Sequence, residues 1–598
     1  MINVSEAYRK ACESPIRQSY FVIKYGLYDK EAKNKISNVN ASGKIFSNLA
    51  QTYDEIKEHN IDYISCEPNR VNLNGRFAFI RDKNKNNQIE KTGYWSNELS
   101  NSSCTFSSNP YIIYVFNKEI NFTDLTLYFQ EVVSDFNVKY YLKNQLEYTR
   151  EIRNNEFLSV QTIENKKSSP INYFDKLEIE FIKTKEPYRY IKFNEIDFGV
   201  YQTFQKEEIK NIDIIDELSI DSSELSANSM SVTIRDDNGI YDILNPFNKL
   251  NFLQEKQEMT CYHYLKVGSA FKEIPLGTFL LKNMQVENNA LKLECYDDTY
   301  FMNKIYYGSK FYTNEECSNI FKDIFNYFGY SNNKYLIDDE LIGIKLTGYI
   351  PQVEMREALR IVAEASGCVI NKTRTGITYI FKTYDPSIKT FKMSEYSNSV
   401  PQRNLYNNVI DIVEYSYDKQ SEDSILCNLI ITDISKTNEF IINFNNAPII
   451  YDLYKENFNL LKNNNGDYDI IELGATCCKV RVNSANQTIE LKGKYYIESS
   501  NVNRKLKKEN IIVDDYAITK IDNKLITNTN SNEIAMWKLN RNEIKYSFDC
   551  LLTPYIEVGD TCRLMTKYKD LSGNTIKKEF IPTYINFSNS IMQKIEGE

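Results

Sequence analysis

Apolar and polar residues alternate in two stretches near the middle of the chain. In SMSVTIR, residues 229–235, and in ALKLECY, residues 290–296, every second residue is apolar, which is the pattern of a strand with one buried face. Asp236-Asp237-Asn238-Gly239 follows the first stretch, and its Asn and Gly tolerate the positive φ angles of a tight turn. We therefore predict strands joined by turns, in an antiparallel barrel or sandwich, over residues 201–310.

Short aromatic strands are predicted throughout residues 41–200. Segments such as PYIIYVFN, DLTLYFQE, FNVKYYLKN and KLEIEFIKT are rich in aromatic and β-branched residues and are separated by Asn- and Ser-rich turns. Ahead of them, residues 1–40 predict a short amphipathic helix and then the strand QSYFVIKYGLYD. The apolar face of this helix is predicted to consist of Val4, Ala7, Tyr8 and Ala11.

The pattern becomes helical between residues 311 and 400. Thr313 and Glu316 have the spacing of a capping box, so we predict a helix that starts there and stops at Gly329. A second helix is predicted from Pro351, since proline suits the first helical position, to Gly367. The hairpin CVINKTRTGITYIFKT follows the second helix. The apolar faces of the two helices are predicted to be Cys317, Ile320, Phe321, Ile324 and Phe328, and Met355, Ala358, Leu359, Val362 and Ala365.

Residues 401–598 return to a β pattern, with a helix predicted over 532–539 and a tight turn from Pro554 to Asp560. In that turn Gly559 stands where a side chain would clash. At 598 residues the chain is long enough for several cores. The patterns divide it into an N-terminal helix and strand (1–40), a β domain (41–200), a second β domain (201–310), an α/β insert (311–400) and a C-terminal β domain (401–598).

Four blocks occur in a fixed order along the chain: LSIDSSELSANSMSVTIRDDNGIYDILNPFN, then IPLGTFLLKNMQVENNALKLECYDD, then LTGYIPQVEMREALRIVAEASGCVINKTRTGITYI, then KLITNTNSNEIAMWKLNRNEIKYSFDCLLTPYIEVGDTCRLMTKY. In this order they resemble the hub and tail-tip proteins of tailed bacteriophages and phage-like bacteriocins. The resemblance implies hub-like β-barrel domains that form a ring, commonly of three copies, around a central channel that continues the tail tube.

Residues 41–200 carry GYWS, PYIIYVF, LTLYF and NEIDFG in that order. This succession resembles the galactose-binding-like, discoidin-type jelly roll. The resemblance implies an N-terminal β-sandwich jelly roll, and it makes Tyr94 and Trp95 candidate contacts with a carbohydrate or a partner protein. In this fold the GYWS-like aromatic residues often pack in the core, and that alternative stays open. The predicted fold class is therefore mainly β and multidomain, with a jelly roll, hub-like barrels and a small α/β insert.

The composition of the chain argues against nucleic-acid binding, a membrane span and secretion. The formal net charge is −9, whereas nucleic-acid-binding proteins usually show a basic excess, so we expect no specific nucleic-acid partner. No run of 18 apolar residues is present, and we predict no membrane span. The N-terminus lacks the apolar core of a secretory signal, so we expect synthesis in the bacterial cytoplasm.

The few candidate catalytic and metal-binding residues are scattered. The chain has twelve cysteines and two histidines, His59 and His263, and no spacing typical of a zinc site. We expect reduced, mostly buried thiols, no cofactor and no catalytic histidine. The acid pairs Asp236-Asp237 and Asp297-Asp298 are candidates for a two-carboxylate glycan hydrolase, but both follow strands, where Asp commonly caps turns.

The sequence therefore predicts a non-enzymatic structural component of a phage or phage-tail-like particle. We expect it at the tail tip or baseplate hub, as a homo-oligomer with a trimer favoured, organising tube, tape-measure and fibre proteins. The alternative is a receptor-binding tail protein whose jelly roll recognises cell-wall carbohydrate. A cell-wall hydrolase that uses Asp297 or Asp298 is a third hypothesis.

Overall fold

Strands dominate the computed structural model, which confirms the prediction of a mainly β, multidomain chain. The structure describes residues 2–28, 32–45, 47–53, 62–63, 65–69, 77–78, 92–120, 125–162, 173–239, 241–242, 244, 253–287, 289–382, 389–392, 395–396, 401–403, 409–422, 424–435, 437–444, 449–450, 468–507, 518–540, 544–590 and 592–598. The chain divides into two compact units. Unit 1 comprises Met1–Ile23, Phe204–Asp242 and Glu258–Glu598, and unit 2 comprises Lys24–Thr203 and Ile243–Gln257. The finer division into five domains stays a prediction.

Unit 2 contains the predicted β-sandwich, made of two antiparallel sheets. The strand order of the larger sheet is Ile36–Ala41, Tyr111–Ile120, Phe174–Thr184, Val133–Leu142 and Gln145–Ile152. The order of the smaller sheet is Ser159–Thr162, Leu125–Phe129, Lys192–Asp197 and Tyr94–Trp95. Alternate residues of each strand, such as Ile112, Tyr114 and Phe116, are buried between the sheets, because successive side chains of a strand point to opposite faces.

A large antiparallel sheet forms the wall of unit 1. Nine of its strands lie within the unit, in the order Glu258–Val267, Ala270–Glu287, Ala290–Tyr296, Ser229–Arg235, Ile209–Glu217, Pro582–Ser588, Met592–Gly597, Ile544–Leu551 and Gln402–Arg403. Met230, Val232 and Ile234 are buried on one face, as the alternating pattern predicts. Ile209–Glu217 pairs with Pro582–Ser588, so the sheet crosses the predicted boundary between residues 201–310 and the C-terminal domain.

Both helices of the insert start later than predicted. The first is Cys317–Tyr327, because Tyr312–Glu316 is a strand that pairs with Lys345–Gly348, and the predicted capping box is therefore absent. The second is Met355–Ser366, preceded by the strand Val353–Glu354. Both predicted stops are confirmed, since Gly329 and Gly367 adopt positive φ angles of 74° and 63°. The two predicted apolar faces pack together in one core.

The remaining insert strands confirm the predicted hairpin. Val369–Lys372 pairs antiparallel with Thr378–Phe381, and Gly376 has a φ of 82° in the turn between them. Tyr335–Ile337 adds in parallel to Thr378–Phe381, at the edge of this small sheet.

The C-terminal region of unit 1 is again β, with the predicted helix at Ser531–Leu539. One sheet has the order Ile449–Ile450, Tyr495–Leu506, Val409–Lys419 and Ile518–Ile521. A small core lies between the pair Ser424–Ile431 and Gln487–Gly493 and the sheet Glu439–Asn443, Cys477–Val482 and Tyr468–Leu473. A third sheet contains Lys389–Phe391, Cys562–Lys569 and Thr575–Phe580.

The N-terminal helix, Glu6–Glu13, is present, and its buried face coincides in part with the predicted one. Tyr8 is buried as predicted, Val4 and Ala11 are half-buried, Ala7 is exposed, and the second buried residue is Cys12. Ser5 caps it by accepting a hydrogen bond from the Tyr8 amide at 3.3 Å. The strand Ser19–Tyr28 follows, as predicted.

Candidate functional site

The tip of the 369–381 hairpin inserts a buried arginine into the wall of unit 1. The Arg374 guanidinium is 2.8 Å from a carboxylate oxygen of Asp216, and the two side chains are 2% and 3% exposed. Arg374 also donates to the backbone carbonyls of Pro554 and Ile556, and it lies 4.7 Å from the centre of the Phe587 ring. Burial raises the pKa of Asp216, and the adjacent guanidinium opposes that shift. The arginine thus ties the hairpin, the 209–217 strand and the 554–560 turn together.

Further hydrogen bonds surround this pair. Asn371 donates to the Val558 carbonyl at 3.2 Å, and Asn228 donates to the Lys372 carbonyl at 3.2 Å. Gly559 has a φ of 86°, a conformation that favours glycine, whereas a Cβ atom there would lie 3.1 Å from the Leu218 side chain, which is a tight contact and not the predicted clash. We call Asp216, Arg374 and the 554–560 turn the buried junction.

A second group of buried polar contacts joins the insert helix Met355–Ser366 to the C-terminal helix Ser531–Leu539. Lys538 and Glu364, which are 5% and 7% exposed, form an ion pair at 2.5 Å, and Arg360 approaches the same carboxylate at 3.1 Å. Asn523 donates to the Ile361 carbonyl at 2.8 Å, and Asn530 donates to the Ala365 carbonyl at 3.0 Å. The α/β insert and the C-terminal region are therefore joined through buried polar groups as well as through apolar packing.

Sequence reasoning missed the buried junction. Arg374 stands in the turn sequence TRTG, where an arginine is ordinarily solvated, and its partner Asp216 lies 158 residues away along the chain. The usable signal was the strand IKNIDIIDE at 209–217, in which Asp216 follows Ile212 and Ile214 at every second position and is therefore expected to lie on the same buried face.

The acid pairs cap turns, as one interpretation of the sequence predicted. Asp297 accepts hydrogen bonds from the amides of Asn228 and Thr299 at 2.9 and 3.0 Å, and burial raises its pKa to about 6. Asp298 forms an ion pair with Lys372 at 2.6 Å. The Asp236 side chain accepts from the Tyr241 amide at 2.9 Å. These bonds give Asp236, Asp297 and Asp298 structural roles.

Tyr94 belongs to the core of the sandwich, whereas Trp95, the next residue of the strand, packs in a separate buried cluster with Tyr190. Both are 0% exposed. The Tyr94 hydroxyl is 2.9 Å from the Ser42 hydroxyl, and its ring stacks on Phe181 at 6.1 Å. The ammonium group of Lys192 lies 4.6 Å from the Trp95 ring centre. Because neither ring is accessible to solvent, the alternative in which these aromatic residues pack inside the domain describes the structure.

His263 is buried in unit 1, and His59 lies outside the described residues. The His263 ring packs edge-on against Phe21 at 5.4 Å, and within the described part of the chain neither ring nitrogen has a hydrogen-bond partner. Burial lowers its pKa to about 3, so the imidazole is neutral at physiological pH. Such a ring is a packing residue.

The cysteines are free thiols, and ten of the twelve are buried, which confirms the sequence interpretation. Among the described residues, no group of three or more His, Cys, Asp or Glu side chains has the arrangement of a metal site. A search of the described helices finds none that is long and apolar enough to cross a membrane.

No protein-family model matches the chain, and no curated protein matches it significantly. Solved structures that resemble it include the 43 kDa tail protein of prophage MuSo2 from Shewanella oneidensis, with 10% identity, a TM-score of 0.35 and coverage of 66% of this chain and 95% of that one. Others are the prophage tail protein gp18 from Listeria monocytogenes EGD-e, with 9% identity, a TM-score of 0.34 and coverage of 66% and 90%, and the family 32 CBM of C. perfringens NanJ, with 8% identity, a TM-score of 0.18 and coverage of 30% and 99%. At such low TM-scores these likenesses carry no argument about the function of this chain.

Proposed function

We propose that this chain is a structural, non-catalytic component of a phage or phage-tail-like particle, placed at the tail tip or baseplate hub. The observation that carries the proposal is the buried junction. The sequence blocks that resemble hub proteins are far apart along the chain, yet Arg374 of the third block contacts the 554–560 turn of the fourth block. Arg374 also pairs with Asp216, which lies two residues before the first block. Two of the blocks are thus held together directly, next to the start of a third.

The large sheet suits an assembly role. Its strands alternate buried and half-buried residues, as in Ser229–Arg235 and Glu258–Val267, so one face packs a core and the other stays partly accessible to neighbours or solvent. Exposed sheet edges tend to pair with other chains, and a symmetric ring removes them. We propose a homo-oligomer, with three copies favoured, that contacts tube, tape-measure and fibre proteins.

The carbohydrate-binding alternative gains no support from Tyr94 and Trp95, because both rings are buried. A jelly roll that binds sugar would have to use other side chains. Retention of the full chain on purified cell walls, undiminished in Tyr94→Phe, would revive that alternative.

Purification of particles from the bacterium that encodes the chain tests the proposed function. The particles are banded on a density gradient, and the bands are examined by quantitative mass spectrometry. We expect the chain to co-sediment with tail proteins at a fixed, low copy number. A chain that stays in the soluble fraction, while intact tails band without it, would overturn the proposal.

A further inference from the structure

A hairpin at the C-terminal end of unit 1 exposes an apolar tip. Its strands are Cys562–Lys569 and Thr575–Phe580, and every residue from 567 to 574 is exposed. Leu571 at the tip is fully exposed, and Tyr568 is 63% exposed. We call residues 567–578 the arm.

The turn of the arm is held by its own hydrogen bonds. The Asp570 carboxylate accepts from the amides of Ser572 and Asn574 at 2.9 and 2.8 Å, and the Gly573 amide donates to the Asp570 carbonyl at 3.0 Å. A partner that binds this tip therefore causes little loss of backbone conformational entropy, because the turn is already ordered.

The arm is also basic, although the whole chain is acidic with a net charge of −9. Its exposed lysines form no ion pair with any described residue; they are Lys567, Lys569, Lys577 and Lys578. The nearby Glu579 is already paired with Arg563 at 2.7 Å, and Asp570 is engaged in the turn. A partner for this arm should offer an apolar contact bordered by acids.

The insert of the same chain presents such a surface. Leu336 and Ile342 are 57% and 63% exposed, and Asp338, Asp339 and Glu340 lie between them. We call residues 336–342 the acidic patch. The basic residues at its borders are Lys334 and Lys345, and the latter lies opposite Glu316 in the sheet.

Buried contacts and hydrogen bonds fix the conformation of the acidic patch. Leu341 is fully buried, which anchors the short 3-10 turn Asp339–Leu341. Asp338 accepts hydrogen bonds from the Tyr379 hydroxyl at 2.6 Å and the Glu340 amide at 3.0 Å, and these bonds lower its pKa. The Asp338 carboxylate therefore stays ionised at neutral pH, and the Asp339 and Glu340 side chains are exposed.

We infer that the arm of one copy docks on the acidic patch of a neighbouring copy. The exposed Leu571 would cover Leu336 and Ile342, while the lysines of the arm face Asp339 and Glu340. Two different surfaces of one chain then meet, which is a head-to-tail contact, and such contacts close into rings when the rotation permits. This inference rests on the homo-oligomer of the proposed function and names the surfaces that form it.

Charge reversal in the full-length chain tests the inference. Lys577→Glu with Lys578→Glu reverses the arm, and Asp339→Lys with Glu340→Lys reverses the patch. Sedimentation velocity over a concentration series, at low and high salt, measures the dissociation constant of self-association. We expect each reversal to weaken association by about tenfold or more at low salt, since like charges then meet, and by less at high salt.

Rescue makes the test specific. A chain that carries both reversals should associate as the wild type does. Lys272→Glu with Lys322→Glu changes the net charge equally at exposed positions outside the arm and should leave association unchanged. Circular dichroism melting curves confirm that every variant is folded.

Two results would overturn the inference, and they separate it from the proposed function. A wild-type chain that is monomeric at every concentration removes the copy-to-copy contact, while the co-sedimentation experiment judges the tail role separately. Association that neither the arm reversal nor the patch reversal weakens shows that other surfaces form the oligomer. Association that stays weak in the chain carrying both reversals shows the same. Either result leaves the tail role standing.

Discussion

Arg374→Met should destabilise unit 1 strongly. The substitution keeps most of the side-chain volume but leaves the Asp216 carboxylate, which is 3% exposed, without its cationic partner. It also removes the donor to the Pro554 and Ile556 carbonyls. Breaking a buried ion pair by removing one partner costs about 3–5 kcal/mol. That is a large share of the roughly 5–15 kcal/mol by which a typical domain is stable.

The matched control removes both charges. Arg374→Met combined with Asp216→Leu leaves no uncompensated charge in the core, and replacing a buried ion pair by apolar residues is often close to neutral. We expect the double variant to recover at least half of the stability that Arg374→Met loses. This pattern distinguishes an unpaired buried charge from a simple loss of packing.

The two tryptophans of the chain provide the assay. Trp537 lies in the helix Ser531–Leu539 of unit 1, and Trp95 lies in a small buried cluster of unit 2. In a Trp95→Phe background, Trp537 emission follows urea unfolding of unit 1, and the midpoint should fall by at least about 1 M, given an m-value of about 1–3 kcal/mol/M. An unchanged midpoint, or a double variant less stable than Arg374→Met, would refute the role assigned to this junction.

Three further predictions use the same reporters. The folded pKa of His263, about 3, lies below its ordinary value of 6.5, so its contribution is fully present above pH 6.5 and is lost as the pH falls toward 3. Asp297, with its raised pKa, acts in the opposite direction but is present in both chains, so between pH 6.5 and 5 the wild-type unit 1 should lose about 2 kcal/mol more than His263→Phe; an equal change in the variant would contradict the burial argument. Gly348→Ala should cost more than about 2 kcal/mol, because a Cβ there would lie 2.1 Å from the Lys524 carbonyl oxygen, whereas Gly329→Ala, with open space, should cost only about 1 kcal/mol; equal costs would argue against this clash. Tyr94→Phe should lower the stability reported by Trp95 by about 1 kcal/mol, the value of its hydroxyl bond, without changing retention on cell walls; weaker retention would return Tyr94 to a binding role.

Local patterns in the sequence predicted local structure well. The alternation at 229–235, the helical stripe that ends at Gly367 and the turn at 554–560 each depend on neighbouring residues only, and all three are confirmed. The two helix starts were predicted too early because pairing overrode the capping signal. Tyr312–Glu316 forms backbone hydrogen bonds with Lys345–Gly348, and the pattern of residues around the helix start does not reveal this pairing.

Long-range features could not be read from the sequence. The pairing of Ile209–Glu217 with Pro582–Ser588 joins segments that the patterns assigned to different domains. The burial of Arg374 depends on Asp216 and on two carbonyls near residue 555. Tyr94 and Trp95 were open to two interpretations because an aromatic pair at a strand end looks the same in sequence whether it faces solvent or core.

The most direct test of the tail-tip role is to locate the chain on intact particles. Antibodies raised against the purified full-length chain, coupled to gold, are applied to gradient-purified particles and viewed by electron microscopy. We predict label at the end of the tail that faces the target cell, and none along the tube or on the capsid of a phage. Label spread along the tube, or particles that carry no label although their other tail proteins are present, would contradict a structural role at the tail tip.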